Sequence, residues 1–192
     1  MQRPIAMTAR NLLILCLCVG SPVAAQDLNR MLELPAHRAL MAAQQAAPLT
    51  PFTTDGCSGG LSAGWTMVAD TFPDFAAAQG NLPPWEACCV IHDRAYHDAG
   101  GSETAEDSYA ARYEADRALQ SCVRDTGESH LAELATRYDT TPETVRAAYG
   151  TIADAMYLAV RFGGGPCSGL PWRWGYGYAH CTPFDSTAPA RD

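Results

Sequence analysis

The chain has 192 residues, of which 47% are hydrophobic and 18% are charged, a composition typical of a globular protein with a buried core. It contains no lysine, and its 13 arginines are outnumbered by 21 acidic residues, which gives a formal net charge of −8. This acidic balance argues against nucleic acid as a partner.

Residues 1–25 are predicted to be a secretory signal peptide. Two arginines accompany an apolar run from Leu12 to Gly20, and Val23-Ala24-Ala25 supplies the small residues of a cleavage site. The run is too short for the ~20 residues of a membrane-spanning helix. We therefore expect a mature protein of residues 26–192, with a formal charge of −10 from 11 arginines and 21 acidic residues. Arginine without lysine, together with abundant alanine, favours a bacterial source, and so the periplasm or the medium.

Six of the eight cysteines follow the predicted signal peptide. An even number of cysteines in an exported chain predicts three disulfides. Cys88 and Cys89 are adjacent, and a bond between them would strain disulfide geometry. The spacing of the cysteines leaves the other pairings open. Residues 26–192 are long enough for one domain with its own core, to which the disulfides add.

The N-terminal third is predicted to contain helix and then irregular chain. Residues 27–45 are rich in helix formers, but Pro35 is expected to divide them into two short helices. Residues 48–54 read as extended chain that leads into a glycine-rich loop at residues 56–60. Residues 65–82 show no clear periodicity, and we interpret them as irregular chain in which single helical turns can occur.

Two helices are predicted in the centre of the chain. Pro83-Pro84 favours the start of a helix that ends near Ala99, before Gly100-Gly101. Ser102 is a candidate cap for a second helix that extends to about Arg124, with acidic residues in its first turns, as the helix dipole prefers. The short connection predicts that the two helices are antiparallel.

The C-terminal third is predicted to hold two more helices and a small β element. Residues 131–138 favour a short helix, and Pro142 favours the start of a longer one. The apolar residues of the longer helix recur at helical spacing and are expected to face the core: Val145, Tyr149, Ile152, Met156 and Val160. Residues 167–181 are rich in aromatic residues and glycine, and a β-hairpin is possible there. The chain as a whole is predicted to be mostly α.

The first central helix contains the densest group of potentially reactive side chains. Cys88, His92 and Tyr96 follow one another at i, i+4 and i+8, and Cys89 and Asp93 form a parallel row beside them. An imidazole and a carboxylate therefore lie next to each other on one side of a helix. A zinc site of both cysteines and the histidine is a less favoured interpretation, because adjacent cysteines on a helix converge poorly on a tetrahedral centre.

This pattern resembles the signature helix of the secreted phospholipase A2 family. That helix has two adjacent cysteines, two variable residues, His-Asp, and a tyrosine four residues after the histidine. The next helix of the family carries an aspartate six residues before a cysteine, and Asp116 and Cys122 keep that interval. Cys57, within the glycine-rich segment, is similar to the cysteine of the family's calcium loop. The resemblance covers residues 55–122.

The resemblance implies a phospholipase A2-like fold with defined disulfides. It pairs the signature cysteines with the glycine-rich loop and with the second helix, which leaves one further pair near the C-terminus. The implied disulfides are Cys57 to Cys89, Cys88 to Cys122 and Cys167 to Cys181.

The resemblance also implies hydrolysis of the sn-2 ester of phospholipids. Such a reaction needs a base for the attacking water and positive charge where the oxyanion develops. By resemblance His92 is the base, Asp116 orients its ring, and Tyr96 hydrogen-bonds the carboxylate. A disulfide between the two helices would place His92 ~6 Å along one axis and Asp116 ~9 Å along the other, so contact between them is feasible.

Calcium is the cofactor that the resemblance implies. Ca²⁺ takes six to eight oxygen ligands at ~2.3 to 2.6 Å. By resemblance the carboxylate of Asp93 is one ligand, and the backbone carbonyls of Gly56, Ser58 and Gly60 are the others. The Ser58 amide is expected to help stabilise the oxyanion.

The expected partner is a phospholipid at a membrane or micelle interface. The predicted charge of −10 should weaken binding to anionic bilayers and favour zwitterionic or dispersed substrates. An alternative interpretation keeps the fold but not the activity: an inactive phospholipase A2-like binding or toxin module would retain every disulfide. The sequence does not predict an oligomeric state.

Overall fold

The computed structural model describes residues 22–58 and 82–183, with only the backbone for residues 22–26 and 58. The predicted signal peptide lies almost wholly outside these residues, and so does the predicted irregular stretch at 65–82. Within the described residues there are five helices, two 3₁₀ segments and no strand, which confirms the mostly α prediction. The helices are α1 (Pro22–Ala46), α2 (Glu86–His97), α3 (Ala105–Ser129), α4 (Leu131–Arg137) and α5 (Pro142–Gly163). None of them is long and apolar enough to cross a membrane.

Helix α1 is continuous through Pro35, so the prediction of two short helices is wrong. Proline lacks a backbone N–H and removes one helical hydrogen bond. The helix is nevertheless fixed to α3 on both sides of this position. Glu33 pairs with Arg112, and the His37 ring hydrogen-bonds the Ser108 hydroxyl of α3 at 2.9 Å. These tertiary contacts outweigh the local cost of the proline.

The boundary between α2 and α3 lies close to the predicted position, but the cap differs. The 3₁₀ segment Ala99–Gly101 follows α2, and the positive φ angles of Gly100 and Gly101 suit glycine. Thr104, and not Ser102, caps α3: its hydroxyl accepts the backbone N–H of Asp107 at 3.1 Å. The Ser102 N–H instead bonds the Ala99 carbonyl and closes the 3₁₀ segment. Helix α3 also extends beyond the predicted end.

Helices α2 and α3 are antiparallel, as predicted. Cys88 near the start of α2 is bonded to Cys122 near the end of α3, and His92 one turn later meets Asp116. Beyond the end of α2, a Cβ on Gly100 would lie 2.8 Å from the Ala111 side chain. Contacts that advance along α2 therefore move backwards along α3.

Helix α5 packs along α3 and closes the core. Of its predicted core positions, Val145, Tyr149, Met156 and Val160 are buried, and Ile152 is partly buried. Gly127 on α3 makes close packing possible, because a Cβ there would clash with the Tyr149 side chain.

The predicted β-hairpin between Cys167 and Cys181 is wrong. Its internal backbone bonds are turns, such as Tyr178 N–H to the Gly175 carbonyl at 3.0 Å, and no strands pair within it. The N–H groups of Gly175 and Gly177 instead donate to the carbonyls of Tyr96 and His97 at 2.6 and 3.0 Å. The segment therefore forms turns that cover the end of α2, with Trp174 fully buried beneath them.

The three disulfides are those that the resemblance implied, and that prediction is confirmed. They join Cys57 to Cys89, Cys88 to Cys122 and Cys167 to Cys181.

Candidate active site

The candidate site is built on the contact between α2 and α3. His92 Nε2 lies 2.9 Å from Asp116 Oδ1, and the Tyr96 hydroxyl donates to the same oxygen at 2.7 Å. The Asp116 side chain is fully buried, and His92 is 7% exposed. The spacing of four residues between His92 and Tyr96 puts both side chains on the same side of α2, where their ring centroids are 4.1 Å apart. The structure thus brings together all three predicted catalytic residues.

The charge of Asp116 decides which ring nitrogen of His92 is free to act. Burial alone would raise the pKa of Asp116, but the hydrogen bond from His92 and the positive charge of Arg112 lower it. The carboxylate is therefore ionised and can only accept, so His92 donates through Nε2. Nδ1 is left as the nitrogen that can take a proton.

A pocket of about 40 Å³ opens beside His92. One water molecule needs at least ~10 to 15 Å³ of free space, so the pocket has room for a few ordered waters. Its polar wall includes His92, Asp93 and Gly56. Its apolar wall is contributed by Leu119, Met156, Val160 and Trp172. The pocket therefore has space for water beside the imidazole, and several of its lining side chains are apolar.

The apolar wall includes residues that the sequence did not assign to the site. Met156 and Val160 were predicted only as core positions of α5. Trp172 lies against Gly163, where a Cβ would clash with its ring. This glycine at the end of α5 was a sequence signal for close packing, but nothing identified the tryptophan as its neighbour.

Asp93 and Gly56, two of the predicted calcium ligands, lie at the same pocket. Asp93 is partly buried, and its Oδ2 accepts the Thr54 hydroxyl at 2.6 Å. Burial raises the pKa of Asp93, and the negative charges of Asp55 and Glu86 add to this effect, against the lowering by Thr54 and His92. The carboxylates of Asp55 and Asp93 both line the pocket, and that of Glu86 is close enough to act on Asp93.

The backbone of the predicted calcium loop is described only in part. Gly56–Ser58 form a 3₁₀ segment in which Gly56 has a φ of +66°, and a Cβ at Gly56 would clash with Glu86. The Cys57 N–H donates to the Glu86 carboxylate at 3.3 Å. Gly60 lies outside the described residues, so its role as a ligand stays a prediction. Sequence reasoning missed the contact of Glu86 with this segment.

Among the residues that the structure describes, no group of three or more His, Cys, Asp or Glu side chains converges on a possible metal position. Cys88 and Cys89 are both in disulfides, so the zinc interpretation is wrong. The carboxylates that line this pocket are those of Asp55 and Asp93, so backbone oxygens would have to complete the ligands of any cation there.

A buried cluster of charges lies on the far side of Asp116 and was not predicted. Arg161 of α5 donates to Asp116 Oδ2 at 2.9 Å and to Glu33 Oε1 of α1 at 2.7 Å. Arg112 pairs with the other oxygen of Glu33. Burial would raise the pKa of Glu33, but the His37 ring and the two arginines outweigh burial and lower it to about 2. Arg112 precedes Asp116 by one helical turn, which was the only signal of this cluster in the sequence.

No protein-family model matches the chain, and comparison with curated proteins and with solved structures gives no match either.

Proposed function

We propose that this protein is a calcium-dependent phospholipase A2-like hydrolase that releases the sn-2 fatty acid from phospholipids. The observation that carries the proposal is the His92–Asp116–Tyr96 arrangement across two helices joined by a disulfide. An ionised, buried carboxylate behind an imidazole that borders a pocket is an arrangement suited to general-base catalysis.

In the proposed reaction His92 activates water. Nδ1 takes a proton from a water in the pocket, and the water oxygen forms a bond to the ester carbonyl carbon. The developing imidazolium is stabilised by Asp116, which accepts from Nε2 at 2.9 Å. The ester C–O bond then breaks, and the proton on Nδ1 passes to the departing alkoxide of the lysophospholipid. Tyr96 holds the carboxylate in place through its hydroxyl.

The donors proposed for the cation are all oxygens, as calcium prefers. They are the carboxylate of Asp93, which lines the pocket, and the backbone carbonyls of Gly56, Ser58 and Gly60. Burial raises the pKa of Asp93, and the negative charges of Asp55 and Glu86, which add to that effect, would also favour a cation beside Asp93. A bound calcium ion would supply positive charge to the oxyanion of the reaction.

The apolar wall of the pocket supports an ester with a hydrocarbon chain as substrate. Leu119, Met156, Val160 and Trp172 border the same space as His92. A formal charge of −10 on residues 26–192 favours zwitterionic or dispersed phospholipid over anionic bilayers.

The test is hydrolysis of phosphatidylcholine vesicles that carry different acyl chains at sn-1 and sn-2. Mass spectrometry of the released fatty acids should show the sn-2 chain in the presence of calcium and a loss of release with a chelator. His92→Gln should lose this release. His130→Gln is its matched control, because His130 is exposed at the end of α3 and bonds only local groups. Equal release with calcium and with chelator would contradict the mechanism. Calcium-dependent vesicle binding without release would favour the inactive binding module.

A further inference from the structure

Asp116 is held by both of its oxygens. Oδ1 accepts from His92 and Tyr96, whereas Oδ2 accepts from Arg161 NH1 at 2.9 Å. The Arg161 side chain is 8% exposed, and its NH2 donates to Glu33 at 2.7 Å. One guanidinium therefore bridges the candidate catalytic carboxylate and a carboxylate on α1.

The backbone that carries Arg161 is fixed by the same cluster. Arg112 NH2 donates to the carbonyls of Val160 and Arg161 at 2.7 and 2.9 Å, and its NH1 pairs with Glu33. The cluster holds two positive and two negative side chains, so its charges balance within the protein interior. Such balance with several hydrogen bonds is the condition under which buried charges are tolerated.

We propose that Arg161 and Glu33 are positioning residues for Asp116, an inference that rests on the proposed function. A carboxylate held at one oxygen alone can rotate about its Cβ–Cγ bond and move Oδ1 away from the imidazole. The planar guanidinium of Arg161 occupies Oδ2 and is itself held at its other end by Glu33, so the rotation is blocked. The orientation of His92 thus depends on α1 and α5 as well as on α2 and α3.

The first test is the kinetics of Arg161→Met on phosphatidylcholine vesicles with calcium. Loss of carboxylate orientation should lower kcat by about 10- to 100-fold and leave KM within about twofold, since the misplacement affects the chemical step. Arg161→Lys keeps the charge but cannot span both carboxylates, and it should recover part of kcat. Arg146→Met is the matched control: Arg146 forms an exposed pair with Glu128 and should leave kcat unchanged.

A second variant covers the case in which Arg161→Met does not fold. Glu33→Gln combined with Arg161→Met removes one charge of each sign, so Arg112 and Asp116 remain balanced. This double variant should keep the native disulfides and circular dichroism and still show the loss of kcat. A folded variant with the kcat of wild type would overturn the proposal and leave the phospholipase function standing.

A readout independent of activity separates the two proposals. The His92 Nε2 proton should give a slowly exchanging imidazole resonance in the NMR spectrum of wild type, because it is buried and bonded to Asp116. In Arg161→Met this proton should exchange faster, whereas in Arg146→Met it should not. If wild type releases no fatty acid, the proposed function fails; unchanged exchange in Arg161→Met would overturn the positioning role in either case.

Discussion

The His92–Asp116 contact is held by disulfide bonds on one side and by ionic interactions on the other. On one side, covalent bonds from Cys89 to Cys57 and from Cys88 to Cys122 tie α2 to the 3₁₀ segment and to α3. On the other side, Asp116 accepts from Arg161 of α5, and Arg161 is held in turn by Glu33 of α1, which pairs with Arg112 of α3. The disulfides set the distance between helices, and the charges set the orientation of one carboxylate.

This difference has consequences for how the site should fail. A disulfide acts largely by restricting the unfolded chain and does not respond to moderate acid. A buried carboxylate with a lowered pKa contributes stability only while it is ionised. Reductant should therefore break the disulfides on one side of the site, and acid should protonate the buried carboxylates on the other side.

The largest expected effect is the loss of hydrolysis when His92, which lies between the disulfides and the charged cluster, is replaced. His92→Gln retains an amide N–H that can donate toward Asp116 but has no base. We expect kcat/KM for phospholipid hydrolysis to fall by about 10² to 10⁴-fold, while calcium-dependent binding to vesicles is retained. Steady-state kinetics and vesicle sedimentation measure the two quantities. Hydrolysis at the rate of wild type would remove His92 from the mechanism.

The next largest effect is expected from removing a disulfide. The bond between the two helices of the site can be compared with a bond outside the site. Cys88 to Cys122 closes 34 residues and Cys167 to Cys181 closes 14. Loop-closure entropy predicts that replacing each pair by alanine lowers the free energy of unfolding by about 4 and about 3 kcal/mol, respectively. Urea unfolding measures this. The two variants should differ much more in activity, because only the first pair joins the helices of His92 and Asp116. An equal loss of activity in the folded variants would contradict the assignment of the site to that helix pair.

The sequence predicted the features that depend on local chemistry. Pro142 and the periodic apolar residues after it indicated α5, and glycines marked the end of α2. The predictions that failed involved distant partners. Pro35 remains within α1 because Glu33 and His37 contact α3, and the C-terminal segment uses its N–H groups on helix ends and not on a second strand.

The same distinction between local signals and distant partners applies to the candidate site. His92, Tyr96 and Asp116 were recognisable because their spacing follows from helix geometry and from fixed intervals to cysteines. Glu33 and Arg161 are 128 residues apart in the chain, and no local pattern relates them. Contacts of this kind arise only when three helices pack together, so they need the structure.

Acid should selectively weaken the ionic side. Folding lowers the pKa of Glu33 from 4.5 to about 2, so its contribution is present above about pH 4.5 and is lost as the pH falls toward 2. At about 1.4 kcal/mol per pKa unit, a pKa lowered from 4.5 to about 2 corresponds to about 3.5 kcal/mol of stability. Glu33 is partly exposed, so solvent screening reduces its contribution to at most about 3 kcal/mol. In urea unfolding, the stability difference between wild type and Glu33→Gln should narrow over this range. The control pair, wild type and Arg146→Met, should differ little at any pH, and a constant gap for Glu33→Gln would contradict the ionic role.

The smallest expected effect concerns Asp93, which lines the pocket together with Cys89 of the first disulfide. Burial and the charges of Asp55 and Glu86 raise its pKa, which means that the folded protein disfavours the ionised form. This carboxylate therefore costs stability at pH 7, and the cost disappears as the pH falls through its pKa. Asp93→Asn keeps an oxygen that can accept the Thr54 hydroxyl, so without calcium it should melt at a slightly higher temperature than wild type. Added calcium should raise the melting temperature of wild type and not that of Asp93→Asn, since binding to the native state stabilises it. An equal calcium-induced shift in both proteins would show that Asp93 is not a calcium ligand.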